Sequence, residues 1–163
     1  MKKILVSTSI ALLLLIVLAS MAFAAPTAAE KQLLLKGSLQ AVETGEVNFP
    51  TLFVDATVSG NATQLGRFTV SFQVEVNLPT LSGPASATFV AANGDSLYAE
   101  GWGQSAPTGT PNVITIVEMY TITGGTGRFA GATGNFTVER LLNQATGVSS
   151  GTIIGNIEIP SGK

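Results

Sequence analysis

Three polar residues flank a glycine-rich stretch in a pattern that could hold the polar group of a ligand. Glu118 and Tyr120 belong to segment 113–123, and Arg140 belongs to segment 134–142. If the two segments pair as antiparallel strands about a centre at Phe129, Glu118 faces Arg140 and all three side chains share one face. A charge in an apolar cavity usually has a partner. The spacing therefore predicts an ion pair that, with Tyr120, either orients a ligand or forms a salt bridge at a rim or outer surface.

A second candidate group is aromatic. Tyr98 and Trp102 alternate with Glu100 on one face of a predicted strand. Their rings could pack against a ligand at the mouth of a cavity while their polar tips reach water. The alternative is that they are core or rim residues. We treat both as candidate ligand-binding residues, and the sequence assigns no catalytic residue.

The composition narrows the possible chemistry. The sequence contains no Cys and no His, which removes zinc and copper centres, cysteine nucleophiles and triads with an imidazole base. The carboxylates form no spaced cluster, so calcium binding and glycoside hydrolysis have no support. The formal net charge is −2, without a basic cluster. We therefore expect no metal, no cofactor and no nucleic-acid partner.

The first residues have the pattern of a secretory signal peptide. Lys2 and Lys3 precede an apolar run over 10–18, and a small-residue pattern predicts cleavage between Ala24 and Ala25. The apolar run is shorter than the roughly 20 residues that a membrane span needs. The leader looks bacterial, and we expect a secreted or periplasmic protein without a stable membrane anchor after cleavage. This gives a signal peptide over 1–24, a flexible N-terminus over 25–31 and one domain over 32–160.

The domain is predicted to be all-β. From Arg67 to Leu78, apolar and polar residues alternate strictly, which indicates a half-buried strand. Seven further strands are predicted over 33–42, 47–58, 85–91, 96–103, 113–123, 134–142 and 148–159. Short spacings leave a two-sheet sandwich or a closed barrel, and neighbour-to-neighbour hairpins favour the barrel. The predicted fold is thus a single eight-stranded antiparallel up-and-down barrel, similar to the calycins.

Turn signals punctuate these strands. Asn93-Gly94 predicts a tight hairpin, Pro50 predicts an edge, bulge or bend in the second strand, and 106–111 predicts a longer exposed loop. The densest signal is the stretch from Ile122 to Thr137. Its structural turn comprises Gly124, Gly125, Gly127, Arg128, Phe129, Gly131 and Gly134. Because this turn leads into a strand and not a helix, it does not predict a phosphate-binding loop.

The glycine-rich turn, with two further motifs, resembles the dirigent and allene oxide cyclase family of barrels. The match to the GGTG-(Lys/Arg)-Phe signature and its following Ala-x-Gly runs over 124–134. As in secreted bacterial barrels of this type, it occurs with elements at 61–69 and 92–95. The resemblance covers about Gln32–Ile159. It implies an eight-stranded antiparallel barrel that forms homo-oligomers, trimers or dimers, and that needs neither a metal nor an organic cofactor.

Three kinds of function follow as hypotheses. The first is a noncatalytic module that binds a small apolar molecule or has a structural or interaction role. The second is a cofactor-free isomerase or cyclase, or a dirigent-like protein, acting on an apolar oxygenated molecule with Glu118, Tyr120 and Arg140 as its polar set. The third is an adhesive or surface-layer protein with a filled barrel and large apolar patches. An enclosed apolar cavity favours binding, and a filled interior favours a structural role.

Overall fold

The protein folds into a closed barrel of eight antiparallel strands. The computed structural model describes residues 30–160, so the predicted signal peptide lies outside the described residues. The strands are β1 (Glu30–Asn48), β2 (Thr51–Ala62), β3 (Gly66–Asn77), β4 (Ser82–Ala91), β5 (Ser96–Pro107), β6 (Val113–Gly125), β7 (Thr133–Asn143) and β8 (Val148–Pro160). Residues 30 and 31, at the end of the stretch predicted to be flexible, lie in β1.

Each strand pairs with its neighbours in the chain, and β1 closes the sheet against β8. That last pairing runs from Glu30 opposite Pro160 to Val42 opposite Val148. The predicted barrel is therefore confirmed over the sandwich. Closure leaves no long unpaired strand edge, and period-two alternation sends every second side chain to the interior.

The first two strands differ from their predicted bounds. β1 continues to Asn48, and the connection to β2 contains Phe49 and Pro50, joined by a cis peptide bond. Pro50 thus lies in the hairpin turn and not within the second strand, where the sequence analysis placed it. A proline has no N–H for the ladder, so a turn between strands accommodates it better than a paired position. The Asn93-Gly94 hairpin between β4 and β5 is as predicted, with Gly94 at φ 87°.

The β6–β7 hairpin is two residues out of the predicted register. Glu118 lies opposite Val138 and Ile116 opposite Arg140. The centre of the hairpin therefore lies one residue before the predicted centre at Phe129. The connection contains a single 3-10 turn, Gly127–Phe129, which places the Phe129 side chain inside the barrel. A shift of two residues keeps every side chain on its face, so Glu118 and Arg140 still share one. This turn is the only helical segment within residues 30–160, and no described helix is long and apolar enough to cross a membrane.

The two ends of the barrel differ. We define the closed end as the end with the turns at 63–65, 92–95 and 126–132, and the open end as the opposite one. Side chains at the closed end are fully buried, among them Leu35, Leu97, Phe129 and Ile157, each 0% exposed. Phe89 makes edge-to-face contacts with Phe68 and Phe136 just above them. The core therefore fills the closed end and the centre of the barrel.

Candidate functional site

Four adjacent strands each send one polar side chain into the barrel, between its centre and its open end. β6 supplies Glu118, β7 supplies Arg140, β8 supplies Ser149 and β1 supplies Glu43. The side chains of Arg140 and Glu43 are each 6% exposed, and that of Glu118 is 2% exposed. We call these four residues the polar cluster. Glu118, Arg140 and Ser149 are the buried polar residues of the described chain besides Ser82.

Arg140 lies at the centre of the polar cluster. Its Nε donates to Glu118 Oε2 (3.1 Å) and its Nη2 to Glu118 Oε1 (3.0 Å), which is a two-pronged pairing. Its Nη1 donates to Ser149 Oγ (3.2 Å) and to Glu43 Oε1. The Ser149 hydroxyl donates in turn to Glu43 Oε1 (2.6 Å). The predicted ion pair between Glu118 and Arg140 is thus present inside the barrel, and a second carboxylate joins it.

Neighbouring carboxylates keep the Arg140 side chain protonated. Burial alone would lower the pKa of the guanidinium, but the Glu118 carboxylate with its hydrogen bonds, and then Glu43, raise that pKa above its ordinary value. The guanidinium carbon also lies 5.4 Å from the centroid of the Phe72 ring, within the range of a cation–π contact. The polar cluster therefore contains a permanent cation with carboxylates on two sides and an aromatic face on another.

Small residues make room for these long side chains. A Cβ at Gly103 on β5 would lie 3.2 Å from Glu118 Cγ, and one at Gly101 would lie 2.8 Å from Tyr120 Cδ1. On the other side, a Cβ at Gly151 would lie 2.5 Å from Arg140 Cβ. Real Cβ atoms essentially never lie within 3.0 Å of another heavy atom in this way, and a contact at 3.2 Å requires the neighbouring atom to move by a few tenths of an ångström. The glycines of β5 and β8 therefore allow Glu118, Tyr120 and Arg140 to fit within a barrel of this width.

Tyr120 lies below the polar cluster, toward the closed end. It is 3% exposed and stacks on Phe136 with ring centroids 5.0 Å apart. Its hydroxyl has no hydrogen-bond partner among residues 30–160. Burial, together with the Glu118 carboxylate, raises the pKa of Tyr120 well above its usual value, against a smaller opposite effect of Arg140. The phenol is therefore un-ionised at neutral pH and keeps its O–H donor.

Two cavities meet at the Glu118–Arg140 pair. The inner cavity, about 30 Å³, is bordered by Tyr120 and by apolar side chains such as Phe72 and Phe89. A volume of this size accommodates one or two water molecules. The outer cavity, about 340 Å³, opens at the open end. We call it the vestibule. Glu43, Glu118 and Arg140 of the polar cluster form its floor, and its walls are mainly apolar, including Leu52, Val54, Val74, Val76, Ile114, Ile116 and Leu142.

The outer wall of the barrel carries larger but shallower hollows. One of about 920 Å³ lies over β8, β1, β2, β3 and β4, where Ser38, Ser59 and Thr69 contribute uncharged hydroxyl groups. It contains no buried charge among its lining residues. The vestibule is therefore the better candidate site, because an apolar concave surface with a few convergent polar groups is typical of small-molecule binding.

The two aromatic candidate residues lie on the outer surface of the barrel and not in the vestibule. Tyr98 and Trp102 share a face of β5 as predicted, but it is the outer face, where they are 39% and 52% exposed. Neither residue lines the vestibule, so this structure does not bring them to the mouth of that cavity. Trp102 lies opposite Pro84 and Met119 on the neighbouring strands. The inner face of β5 carries Leu97, Ala99 and the two glycines, since the barrel needs small side chains beside Glu118 and Tyr120.

The glycine turn has a structural role. Phe129 fills the closed end, and the Arg128 guanidinium lies 4.8 Å from the Phe129 ring centroid. Arg128 also pairs with Asp95 of the β4–β5 turn, with Nε and Oδ2 3.7 Å apart, and its backbone N–H donates to that carboxylate. Asn93 donates to Asp95 as well, at 2.7 Å. Asp95 therefore ties two turns together at the closed end.

Sequence reasoning missed two members of the polar cluster, Glu43 and Ser149. A signal for each was present. Glu43 continues the alternation of Leu39 and Ala41, which face inward, and Ser149 has the same parity as Ile153 and Ile157 on β8. The predicted first strand ended one residue before Glu43, so its side chain was assigned to no face. Within residues 30–160, no three His, Cys, Asp or Glu side chains come together in a way that could hold a metal ion.

Comparison with known proteins finds a similar fold by structure but no match by sequence. No protein-family description matches the chain. No curated protein matches it in sequence. A solved structure, that of the pterocarpan synthase dirigent protein GePTS1, matches with a TM-score of 0.58 and 15% identity, over 82% of this chain and 88% of that one. At this identity the likeness concerns the fold. The barrel is dirigent-like, as predicted, and the resemblance to allene oxide cyclases stays a prediction.

Proposed function

We propose that this protein binds a small, mostly apolar molecule in the vestibule, with one polar group of the ligand placed on the polar cluster. The proposal concerns binding at the open end of the barrel and does not require turnover. The observation that carries it is the juxtaposition of Glu43, Glu118 and Arg140, all nearly fully buried, with an apolar cavity that reaches solvent.

A purely structural role explains this juxtaposition less well. Buried ion pairs contribute little to net stability, because desolvation offsets most of the attraction between the charges. A barrel selected only for stability would fill the open end with apolar side chains, as the closed end is filled. The vestibule volume of about 340 Å³ instead lies within the usual range for ligand pockets, roughly 300 to 1,000 Å³.

A fluorescent apolar dye tests the location of binding. N-phenylnaphthylamine, which is uncharged at neutral pH, should bind the wild-type protein and gain fluorescence as it leaves water. Ile116→Trp should weaken binding at least tenfold, because a larger side chain on the vestibule wall occupies the cavity. Met119→Trp is the matched control, since Met119 lies on the same strand but is 63% exposed on the outer face. Equal binding by both variants would contradict the proposal.

A catalytic role is the second candidate, and the unpartnered Tyr120 hydroxyl beside the Glu118–Arg140 pair favours it. A cofactor-free isomerase or cyclase, or a dirigent-like protein, would act on an apolar oxygenated molecule confined at this site. Native mass spectrometry of protein from its own host would show any retained molecule. Chemical conversion of that molecule by the wild type, lost when Glu118, Tyr120 and Arg140 are all replaced by Ala, is the expected result for catalysis.

We also propose that the protein is exported and forms a homo-oligomer. Support for export comes from the leader-like sequence and the small residues around Ala24 and Ala25. Terminal sequencing of the protein from medium and periplasm should find Ala25 at the N-terminus. The same native mass spectrum gives the subunit number, for which the resemblance to dirigent and allene oxide cyclase barrels implies a trimer or dimer. A protein found only in the cytoplasm, or only as a monomer, would contradict the respective statement.

A further inference from the structure

We infer that the vestibule selects ligands whose polar end donates hydrogen bonds, with a protonated amine preferred over a hydroxyl and a carboxylate rejected. The inference rests on the proposed function, because it specifies the class of ligand for the same site. It follows from the way the polar cluster distributes its donors, acceptors and charge.

Most donors of the polar cluster are already engaged. A guanidinium has five N–H groups. Arg140 directs four of them within the polar cluster, two to Glu118, one to Glu43 and one to Ser149. The Ser149 hydroxyl donates to Glu43. An incoming carboxylate would therefore have to displace an existing hydrogen bond before it could form a bidentate pair with Arg140.

One acceptor of the polar cluster remains available. Glu43 Oε1 accepts from both Arg140 and Ser149, whereas Glu43 Oε2 receives no hydrogen bond from any residue in the range 30–160. Glu43 also lines the vestibule, although its side chain is only 6% exposed. Because Glu43 Oε2 has neither a partner nor the complete burial of the Tyr120 hydroxyl, a donor that a ligand brings into the vestibule can reach it and form a charge-assisted hydrogen bond.

The formal charge of the polar cluster also favours a cationic ligand. Two carboxylates surround a single guanidinium, which gives the polar cluster a formal charge of −1. No lysine or second arginine is among the residues that line the vestibule. The Gln104 amide nitrogen, at the vestibule wall, donates to the carbonyl oxygens of Thr80, Leu81 and Ser105. An anion at this floor would meet an excess of negative charge, and a cation would neutralise it.

Three probes with one tail and different heads test the inference. Octylammonium, octanol and octanoate are titrated into the wild-type protein at pH 7 in isothermal titration calorimetry. Octylammonium should bind most tightly, octanol less tightly, and octanoate at least tenfold more weakly than octylammonium, since hydrogen bonds to charged groups change affinity by roughly tenfold or more. The wild-type series decides the question without relying on any variant.

Two variants assign the selectivity to a residue. Glu43→Gln should lower the preference for octylammonium over octanoate about tenfold. Glu46→Gln removes the same charge from an exposed position on the same strand and should leave the preference unchanged, which controls for general attraction of a cation to an acidic protein.

The outcomes separate the two proposals. Octanoate binding as tightly as octylammonium would overturn the inference about the head group and leave ligand binding in the vestibule intact. An equal loss of preference in Glu46→Gln would also overturn it, since the selectivity would then come from the surface. Failure of all three probes and of the dye to bind would instead overturn the proposed function.

Discussion

The two ends of the barrel interior are built from the same strands but are filled differently. At the closed end, Phe129, Leu97 and Ile157 are each 0% exposed and leave no access from solvent. At the open end, Val76 and Leu142 remain half-buried around the vestibule, and the floor beneath them is charged. A close-packed apolar end provides stability, whereas a charged floor under an open cavity contributes little to it. This difference is why we place the proposed ligand site at the open end and expect the closed end to contribute more to stability.

The largest effect on stability should come from the closed end. Phe129→Ala would leave a cavity that the surrounding turn cannot fill completely, so we expect the free energy of unfolding to fall by about 3 to 5 kcal/mol. Urea denaturation measures this change. Phe49→Ala at the open end, where the side chain is 77% exposed, is the control and should change stability by less than about 0.5 kcal/mol. A similar small effect for both variants would contradict the contrast between the ends.

The next largest effect should come from Arg140→Met. This variant leaves Glu43 and Glu118 without their cation, and breaking a buried ion pair in this way costs about 3 kcal/mol or more. Because water from the vestibule partly solvates the two carboxylates, we expect the loss of unfolding free energy to be near about 3 kcal/mol and not far above it. Urea denaturation again provides the measurement, with Arg67→Met on the outer face as the exposed control.

A second background separates loss of charge pairing from loss of packing. In a protein that carries Glu43→Gln and Glu118→Gln, Arg140→Met should cost clearly less, because no carboxylate is then left unpaired. An equal cost in both backgrounds would show that the methylene groups of Arg140, and not its charge, account for the effect.

The barrel itself could be predicted from the sequence, because strict alternation and short turns leave few alternatives for a chain of this kind. The shared face of Glu118 and Arg140 was also predictable, although their register was wrong. An error of two residues preserves the face of a strand, and only an error of one would have sent one of them outside.

Other parts of the site were not predicted. Glu43 was missed because the first strand was predicted to end at residue 42, whereas β1 continues to Asn48, and strand ends are the least reliable part of such a prediction. The sequence analysis left open which face of β5 points inward, because it considered Tyr98 and Trp102 only for their chemistry. The informative residues were Gly101 and Gly103, whose lack of a side chain reflects the space taken by Tyr120 and Glu118 on the neighbouring strand. The need for small residues on β5 can be recognised only once the pairing of β5 with β6 is known.

Gly103→Ala should test this account of β5. The new Cβ would lie 3.2 Å from Glu118 Cγ, so the glutamate or the strand must shift, at a cost of about 1 to 2 kcal/mol. The unfolding free energy from urea titration measures it. Thr121→Ala, at an exposed position on the outer face of β6, should stay within about 0.5 kcal/mol. A neutral Gly103→Ala would mean that the inner face of β5 is not crowded.

The smallest effect at neutral pH should come from Tyr120→Phe, because the hydroxyl that it removes has no protein partner among residues 30–160. We expect a change within about 1 kcal/mol at pH 7. Above about pH 10 the two proteins should diverge. In the unfolded chain Tyr120 ionises near pKa 10, whereas burial raises its pKa in the folded protein. The folded wild type then retains a proton that the unfolded chain releases.

The sign of the divergence follows from this difference in bound protons. The stability linked to un-ionised Tyr120 is fully present below about pH 10 and decreases as the pH rises further, by up to about 1.4 kcal/mol per pH unit. The phenylalanine variant lacks this dependence, so it should become the more stable protein in alkaline urea titrations. A constant difference between the two proteins from pH 7 to about pH 11 would show that the Tyr120 hydroxyl reaches solvent. In that case the floor of the vestibule would not separate the inner cavity from water, and Tyr120 would be available to a ligand from the open end.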